Sequence, residues 1–234
     1  MQALPLTNPD VRSFTELRAV FADPECSCKG QAYEMFRAVA KDEEDREWLS
    51  ANHIRYDVTR IPARIICGEW IKTKGHYHPL SPDGVSYPEI YEVLEGDALY
   101  LLQKQDLSDL ILVKAHSGDL VLIPPGYGHV TVNPSDKTLL MANLVSSSFT
   151  SDYLPFEKLR GAAYYLFSDG LIGKNTHYPD RIPEIRIIEA TGKTLPKPFP
   201  QSDLYGCVGD EKLLRFLNRP GEFLREFSHL YLFT

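Results

Sequence analysis

Gly118-Asp119-Leu120-Val121-Leu122-Ile123-Pro124-Pro125-Gly126-Tyr127-Gly128-His129-Val130-Thr131-Val132-Asn133 is the stretch on which the fold of this chain turns. Ser117-Gly118-Asp119 turns the chain into the apolar run Leu120–Ile123. Pro124-Pro125-Gly126 makes a second turn, in which Gly126 can take a positive φ. Two turns flanking a short strand present His129 inward.

Period-two patterning continues on both sides. Downstream, Val130–Val132 and Thr138–Val145 are strand candidates. Upstream lie Leu110–Lys114, Ala98–Gln103, the turn Glu95-Gly96-Asp97, and a strand from Pro88 to Leu94 with Glu89, Tyr91 and Val93 on one face. Residues 79–88 form a loop by composition, with three prolines, a glycine and two serines. Before it, Glu69–Thr73 leads into Gly75-His76-Tyr77-His78, preceded by strands at Arg64–Cys67 and Arg55–Ile61. Short strands at a spacing of about 8–12 residues predict a sandwich or barrel.

His76 and His78 are two apart, so on a strand both side chains share a face. Trp70, Ile71 and Thr73 favour a strand there. Two imidazoles, a carboxylate and a third imidazole from other strands suit a divalent transition metal. His-x-His alone is also compatible with an exposed hairpin that binds nothing.

The chain has 234 residues, 43% of them hydrophobic and 24% charged, enough for a core and against disorder. A net charge of −7 argues against a nucleic-acid surface. No run of apolar residues is long enough for a membrane span, and Met1–Phe14 lacks the features of a signal peptide. Cys26, Cys28, Cys67 and Cys207 do not form a C-x-x-C redox pair or complete a zinc site, so reduced thiols in a cytoplasmic protein are expected. At the N-terminus the pattern predicts a short helix over Thr15–Phe21 capped by Ser13. An amphipathic helix is predicted over Gly30–Leu49, with Tyr33, Phe36, Val39 and Ala40 on one stripe. Beyond the barrel, strands are predicted at Ala162–Phe167 and Pro183–Glu189, and a covering loop over Leu195–Pro200. Asp210 should cap a helix over Glu211–Leu217, and Pro220 should open a final helix to about Leu230. Phe216, Leu217, Phe223, Leu224 and Phe227 need a partner surface, either the barrel exterior or a second copy of the chain.

Gly118, Pro124, Gly126, His129 and Asn133 match the second cupin motif at each fixed position, and His76-x-His78 with Glu89-x6-Gly96 resembles the first. Ten residues separate His78 from Glu89, more than the usual motif has. Thr73-Lys74-Gly75-His76-Tyr77-His78, Glu89-Ile90-Tyr91, Pro124-Pro125, His129 and Thr131-Val132-Asn133 resemble the cupin-type glucose-6-phosphate isomerase family, described mainly from archaea. The resemblance covers roughly Thr59 to Tyr153. It implies a mainly β chain: a cupin-like double-stranded β-helix, or jelly-roll barrel, with peripheral helices at both ends. The barrel would span 54–150, with 1–53 a helical arm packed on it and 151–234 an extension covering the barrel or a dimer interface, all in one structural domain.

The same resemblance implies one divalent metal per chain (Fe2+, Mn2+, Ni2+ or Zn2+) on His76, His78, Glu89 and His129. It implies substrate contacts from Thr59, Thr73, Gly75, Tyr91 and Tyr153. Lys74, beside Thr73, either holds a phosphate or is an exposed strand-edge lysine. For proton transfer between C1 and C2, Glu89 is the candidate base, with Tyr91 helping the oxygens exchange protons; a metal-assisted hydride shift is the rival. Two positions depart from the family: Gly126 stands where a tyrosine follows the Pro-Pro pair, and Ser151 stands at a histidine near the last substrate tyrosine. The implied function is interconversion of glucose 6-phosphate and fructose 6-phosphate, in glycolysis and gluconeogenesis, by a cytoplasmic homodimer. The expected partner is a small sugar phosphate, with neither nucleic acid nor membrane. Two alternatives stay open, a metal-dependent cupin oxygenase and a non-catalytic sugar-binding or regulatory cupin.

Overall fold

The computed structural model describes residues 4–190 and 195–231. The chain opens with β1 (Asp10–Ser13), α1 (Phe14–Leu17), β2 (Gln31–Phe36) and α2 (Glu43–Ala51). The central strands are β3 (Ile54–Ile61), the short pair β4 (Ile65–Ile66) and β5 (Glu69–Trp70), β6 (Glu89–Glu95), β7 (Asp97–Lys104), β8 (Leu110–His116), β9 (Leu120–Ile123), β10 (Tyr127–Val132) and β11 (Leu139–Ser146). After them come α3 (Leu154–Lys158), β12 (Tyr164–Leu166), β13 (Ile172–Lys174), β14 (Arg186–Glu189), α4 (Glu211–Leu214) and α5 (Leu224–Ser228).

Pairing runs from the outside inward along the sequence. β3 pairs with β11, the segment around Lys72 and His76 bridges β10, β6 pairs with β9, and β7 pairs with β8. That nesting is the jelly-roll arrangement expected from the sequence. It yields a six-stranded sheet, β1-β2-β3-β11-β6-β9, and a four-stranded sheet, β10-β7-β8-β14.

Alternation along the strands divides the apolar residues into two cores. Ile61, Tyr91, Val93, Val121, Ile123 and Met141 point inward and meet Tyr100 and Leu102 of the smaller sheet. Tyr56, Val58, Ile90, Leu122, Ala142 and Leu144 point outward, where Leu49 of α2 and Phe199, Leu214, Phe216, Leu217 and Phe227 cover them. The C-terminal aromatics therefore find their surface on the barrel exterior. Each fully buried Phe or Leu there contributes about 1.5–3 kcal/mol over leaving it in water. Exposed Leu224 is left out of this packing.

Several local expectations are corrected. Gly30–Leu49 is not one helix, because Gln31–Phe36 is strand β2 and helix α2 begins only after Asp42, whose carboxylate accepts from the Asp45 N–H. The N-terminal region is thus no helical arm, since β1 and β2 extend the larger sheet. Ser13 does cap α1, with a reciprocal Glu16 bond, but the helix tightens to a 3-10 turn over Arg18–Val20. Both C-terminal helices are likewise short α turns flanked by 3-10 turns. Cys26 and Cys67 form a disulfide across a sequence separation of 41, so these two thiols are not reduced as expected. Local spacing could not reveal a partner so distant, and Cys28 and Cys207 are the free cysteines. Among the described residues no helix is long and apolar enough to cross a membrane.

Candidate metal centre

The two histidines of the first motif do not lie on a regular strand. Thr73 N donates to Thr131 O (2.8 Å), and His76 and His129 exchange backbone bonds of 3.3 and 3.1 Å. The backbone is extended all the same, so the two-residue period holds. Rings 76 and 78 face the barrel interior, while Tyr77 turns away and stacks on Phe156 at 4.9 Å. Gly75 permits this approach: its φ is +76°, and a Cβ there would lie 2.6 Å from Val130 Cγ2. The loop 79–88 folds back on itself through Tyr87 N to Pro79 O (3.2 Å). It thereby brings Glu89, the first residue of β6, opposite Ile123 of β9.

One ligand atom from each of His76, His78, Glu89 and His129 lies within 4.8 Å of every other. His76 Nε2 and His78 Nε2 are 3.0 Å apart, and Glu89 Oε2 lies 3.4 Å from His78 Nε2 and 3.3 Å from His129 Nε2. His78 Nδ1 is 2.9 Å from the Tyr87 carbonyl oxygen, which can only accept. Nδ1 is therefore the donor to that oxygen, which aims Nε2 at the cluster.

Burial, then the neighbouring His129 and His78, hold the His76 pKa well below the usual imidazole range. Burial also lowers His129, against the pull of Glu89. Burial alone would raise the Glu89 carboxyl, but its contacts with His129 and His78 outweigh that and hold it well below the usual range. The buried Glu89 Oε2 has no hydrogen-bond partner among the described residues, with the three ring nitrogens gathered around it. A buried carboxylate oxygen left without a partner is a conflict that costs several kcal/mol. A divalent cation relieves that conflict, so the residues fit a metal. Tyr91 stands at the edge, its hydroxyl 3.1 Å from His129 Nε2. Burial and then Glu89 raise its pKa well above that of a free phenol, so it stays protonated.

The four residues line one side of a cavity of about 300 Å³. Thr59, Thr73, Lys74, Gly75, Tyr91 and Tyr153 line the same cavity. Their accessibility differs. Thr73 Oγ1 accepts from Thr131 N (2.9 Å), and Lys74 Nζ pairs with Glu157. Ser151 also faces the cavity. Tyr127 does not replace the tyrosine missing at Gly126, because its hydroxyl donates to Asp109 Oδ2 (2.6 Å), and Asp109 in turn pairs with Arg186. Sequence reading missed Arg37, Arg55 and Asn143, which line the same cavity. An i, i+2 relation of Arg55 to Asp57 and Thr59 on one strand face was the available signal for part of this group.

The family model described as Glucose-6-phosphate isomerase (GPI) matches residues 11–183. The chain belongs to the glucose-6-phosphate isomerase family. Among curated members, the glucose-6-phosphate isomerase of Thermococcus litoralis is 26% identical over 149 residues, which is 61% of this chain and 72% of that protein. The enzyme of the same name from Pyrococcus abyssi is 24% identical over 146 residues, with the same two coverages. Solved structures that overlap in part include a Bacillus subtilis oxalate decarboxylase variant (14% identity, TM-score 0.38, 51% of this chain and 26% of that one) and an oxalate oxidase (15%, 0.41, 55% and 57%). The isomerase family match takes in most of β1, β2, the barrel strands and all four converging ligands.

Proposed function

We propose that the protein interconverts glucose 6-phosphate and fructose 6-phosphate with a divalent metal held by His76, His78, Glu89 and His129. The observation that carries this reading is the convergence of three imidazoles on the unpartnered Glu89 Oε2, inside a cavity, in a member of this family. Iron(II), manganese, nickel and zinc all suit three imidazoles and a carboxylate. Such an ion supplies Lewis acidity toward the carbonyl and hydroxyl oxygens of the open-chain sugar. Glu89, held ionised, takes the proton from C2 of the aldose and returns it to C1. The O2 proton passes to O1, and the protonated Tyr91 hydroxyl is placed to mediate that exchange. A hydride moving directly from C2 to C1 is the rival account, and replacing Glu89 separates the two. Thr59, Thr73, Lys74, Gly75 and Tyr153 position the sugar phosphate. We place the protein in the cytoplasm as a homodimer, with 54–150 as the barrel inside a single domain that includes 1–53 and 151–234. The Cys26–Cys67 disulfide is uncommon for that compartment.

The test is turnover of fructose 6-phosphate by protein loaded in turn with each of the four metals. Isomerisation with at least one of them, abolished by chelation, is expected. Full occupancy with no turnover by any metal would sink the reading. Oxygen consumption by the iron-loaded protein would instead favour the oxygenase alternative.

A further inference from the structure

Across the cavity from the metal ligands, the larger sheet carries a second charged group. In register, Val145 of β11 lies opposite Arg55 of β3 on one side and Glu89 of β6 on the other. Asn143 lies in the same way between Asp57 and Tyr91. Two strand spacings, roughly 10 Å, therefore separate the Arg55 backbone from that of Glu89. Arg37 follows directly on β2, which pairs with β3 through Met35 opposite Thr59. Asp57 is fully buried and holds both arginines. Its Oδ2 accepts from Arg37 Nη1 (2.7 Å) and Arg55 Nε (2.8 Å), and its Oδ1 accepts from Ala38 N (2.9 Å).

We propose that Arg37 and Arg55 seat the phosphate of the bound sugar phosphate, with the reacting carbons at the metal centre on the other side of the cavity. This rests on the isomerase reading. A chain that reacts at C1 and C2 carries its phosphate on C6, at the far end, so its cation seat must stand across the cavity from the reacting end. One carboxylate is shared by two guanidiniums, and each guanidinium has five N–H groups. Both amino groups of Arg55 make no hydrogen bond to any described residue, and Arg37 sends its second one only to Met35 Sδ (2.9 Å). The planar N–H forks match a phosphate in a way an ammonium does not. Because Asp57 fixes both forks beforehand, less ordering is left to be done on binding. Asp10 lies 3.8 Å from Arg37 Nε but is exposed at the rim, where water screens it. Lys74 is the poorer seat: it adjoins the metal ligands, is already neutralised by Glu157, and has 13% of its side chain exposed against 34% for each arginine.

The experiment measures binding of glucitol 6-phosphate, which cannot isomerise, and of glucitol by calorimetry, to wild-type protein and to Arg37→Gln, Arg55→Gln and Lys74→Gln, with and without metal. Each arginine variant should bind glucitol 6-phosphate about tenfold or more weakly, as loss of a charge-assisted bond implies, with binding of glucitol unchanged. Arg37→Lys and Arg55→Lys, which keep a cation beside buried Asp57, should recover part of the loss and melt higher than the Gln variants, and metal content should stay near wild type in all of them. If turnover is present, KM for fructose 6-phosphate should rise with kcat little changed, because the phosphate is held alike in ground and transition states. Equal glucitol 6-phosphate affinity in the arginine variants, or the main loss in Lys74→Gln, overturns the assignment. Absence of turnover with every metal, alongside the tenfold loss, would leave the phosphate seat standing and remove the isomerase reading alone.

Discussion

Replacing Gln103 with Leu tests how the ligand segment is held. Gln103 lies on β7, is almost fully buried, and uses both ends of its amide. Its Nε2 donates to the hydroxyls of Tyr77 (3.1 Å) and Tyr178 (3.1 Å), and its Oε1 accepts from Ala163 N (2.8 Å). Leucine has similar bulk and none of these atoms. Tyr178 keeps its bond to the Gly161 carbonyl oxygen (2.8 Å), so it is not stranded. The Tyr77 hydroxyl and the Ala163 N–H lose their partners inside the protein. At about 1–3 kcal/mol for each stranded group, the expected loss is roughly 2–5 kcal/mol after allowing for the added apolar contact. For a chain of this size that lowers the melting temperature by at least about 4 °C. Urea melts should show a reduced midpoint with an unchanged slope. Adding Tyr77→Phe removes one stranded hydroxyl, so the double variant should recover about 1 kcal/mol or more. A Gln103→Leu protein within about 0.5 kcal/mol of wild type, the range of an ordinary surface change, would refute this account.

His129→Ala should lose metal and turnover together, which metal analysis after dialysis and the isomerase assay will read in parallel. Tyr91→Phe should keep its metal and lower kcat if the hydroxyl mediates proton exchange between the sugar oxygens; unchanged kcat would remove it from the chemistry. Glu89→Gln, with its metal retained and full turnover, would exclude Glu89 as base and favour the hydride shift. Glu92 offers a pH test. Burial raises its pKa above the usual carboxylate value despite the Leu204 N–H donated to Oε2 (2.8 Å). The folded state therefore binds the proton more tightly, and this contribution to stability is present at low pH and lost as pH rises through the raised pKa. Glu92→Gln, which keeps an acceptor for Leu204, should melt higher than wild type at neutral pH and no higher below about pH 4; a constant difference across pH would exclude the burial cost.

The barrel was legible because its turns carry their own chemistry. Gly118 and Gly126 both take positive φ in the structure, as turns there require. His76 and His78 were legible for a different reason: a two-residue period survives even where the strand is reduced to isolated bridges. Strand β2 was misread because Ala32, Tyr33, Met35 and Phe36 are all buried, which erases the alternation that marks a half-buried strand. Arg37 could not be placed from sequence, since only the register of β2 on β3 brings it to Asp57. Cys26 and Cys67 meet through tertiary folding alone.

The four converging ligands come from three barrel segments, two of them adjoining in sequence and the third, β10, far downstream. An ion bound there is a removable cross-link, and it can form only after the first and second halves of the jelly roll have closed on each other. Chelation and folding then share one equilibrium. The melting temperature should climb with the logarithm of free metal concentration even in a variant that turns over nothing. A cell short of the metal would hold, besides less active protein, a larger fraction of chains open to proteolysis.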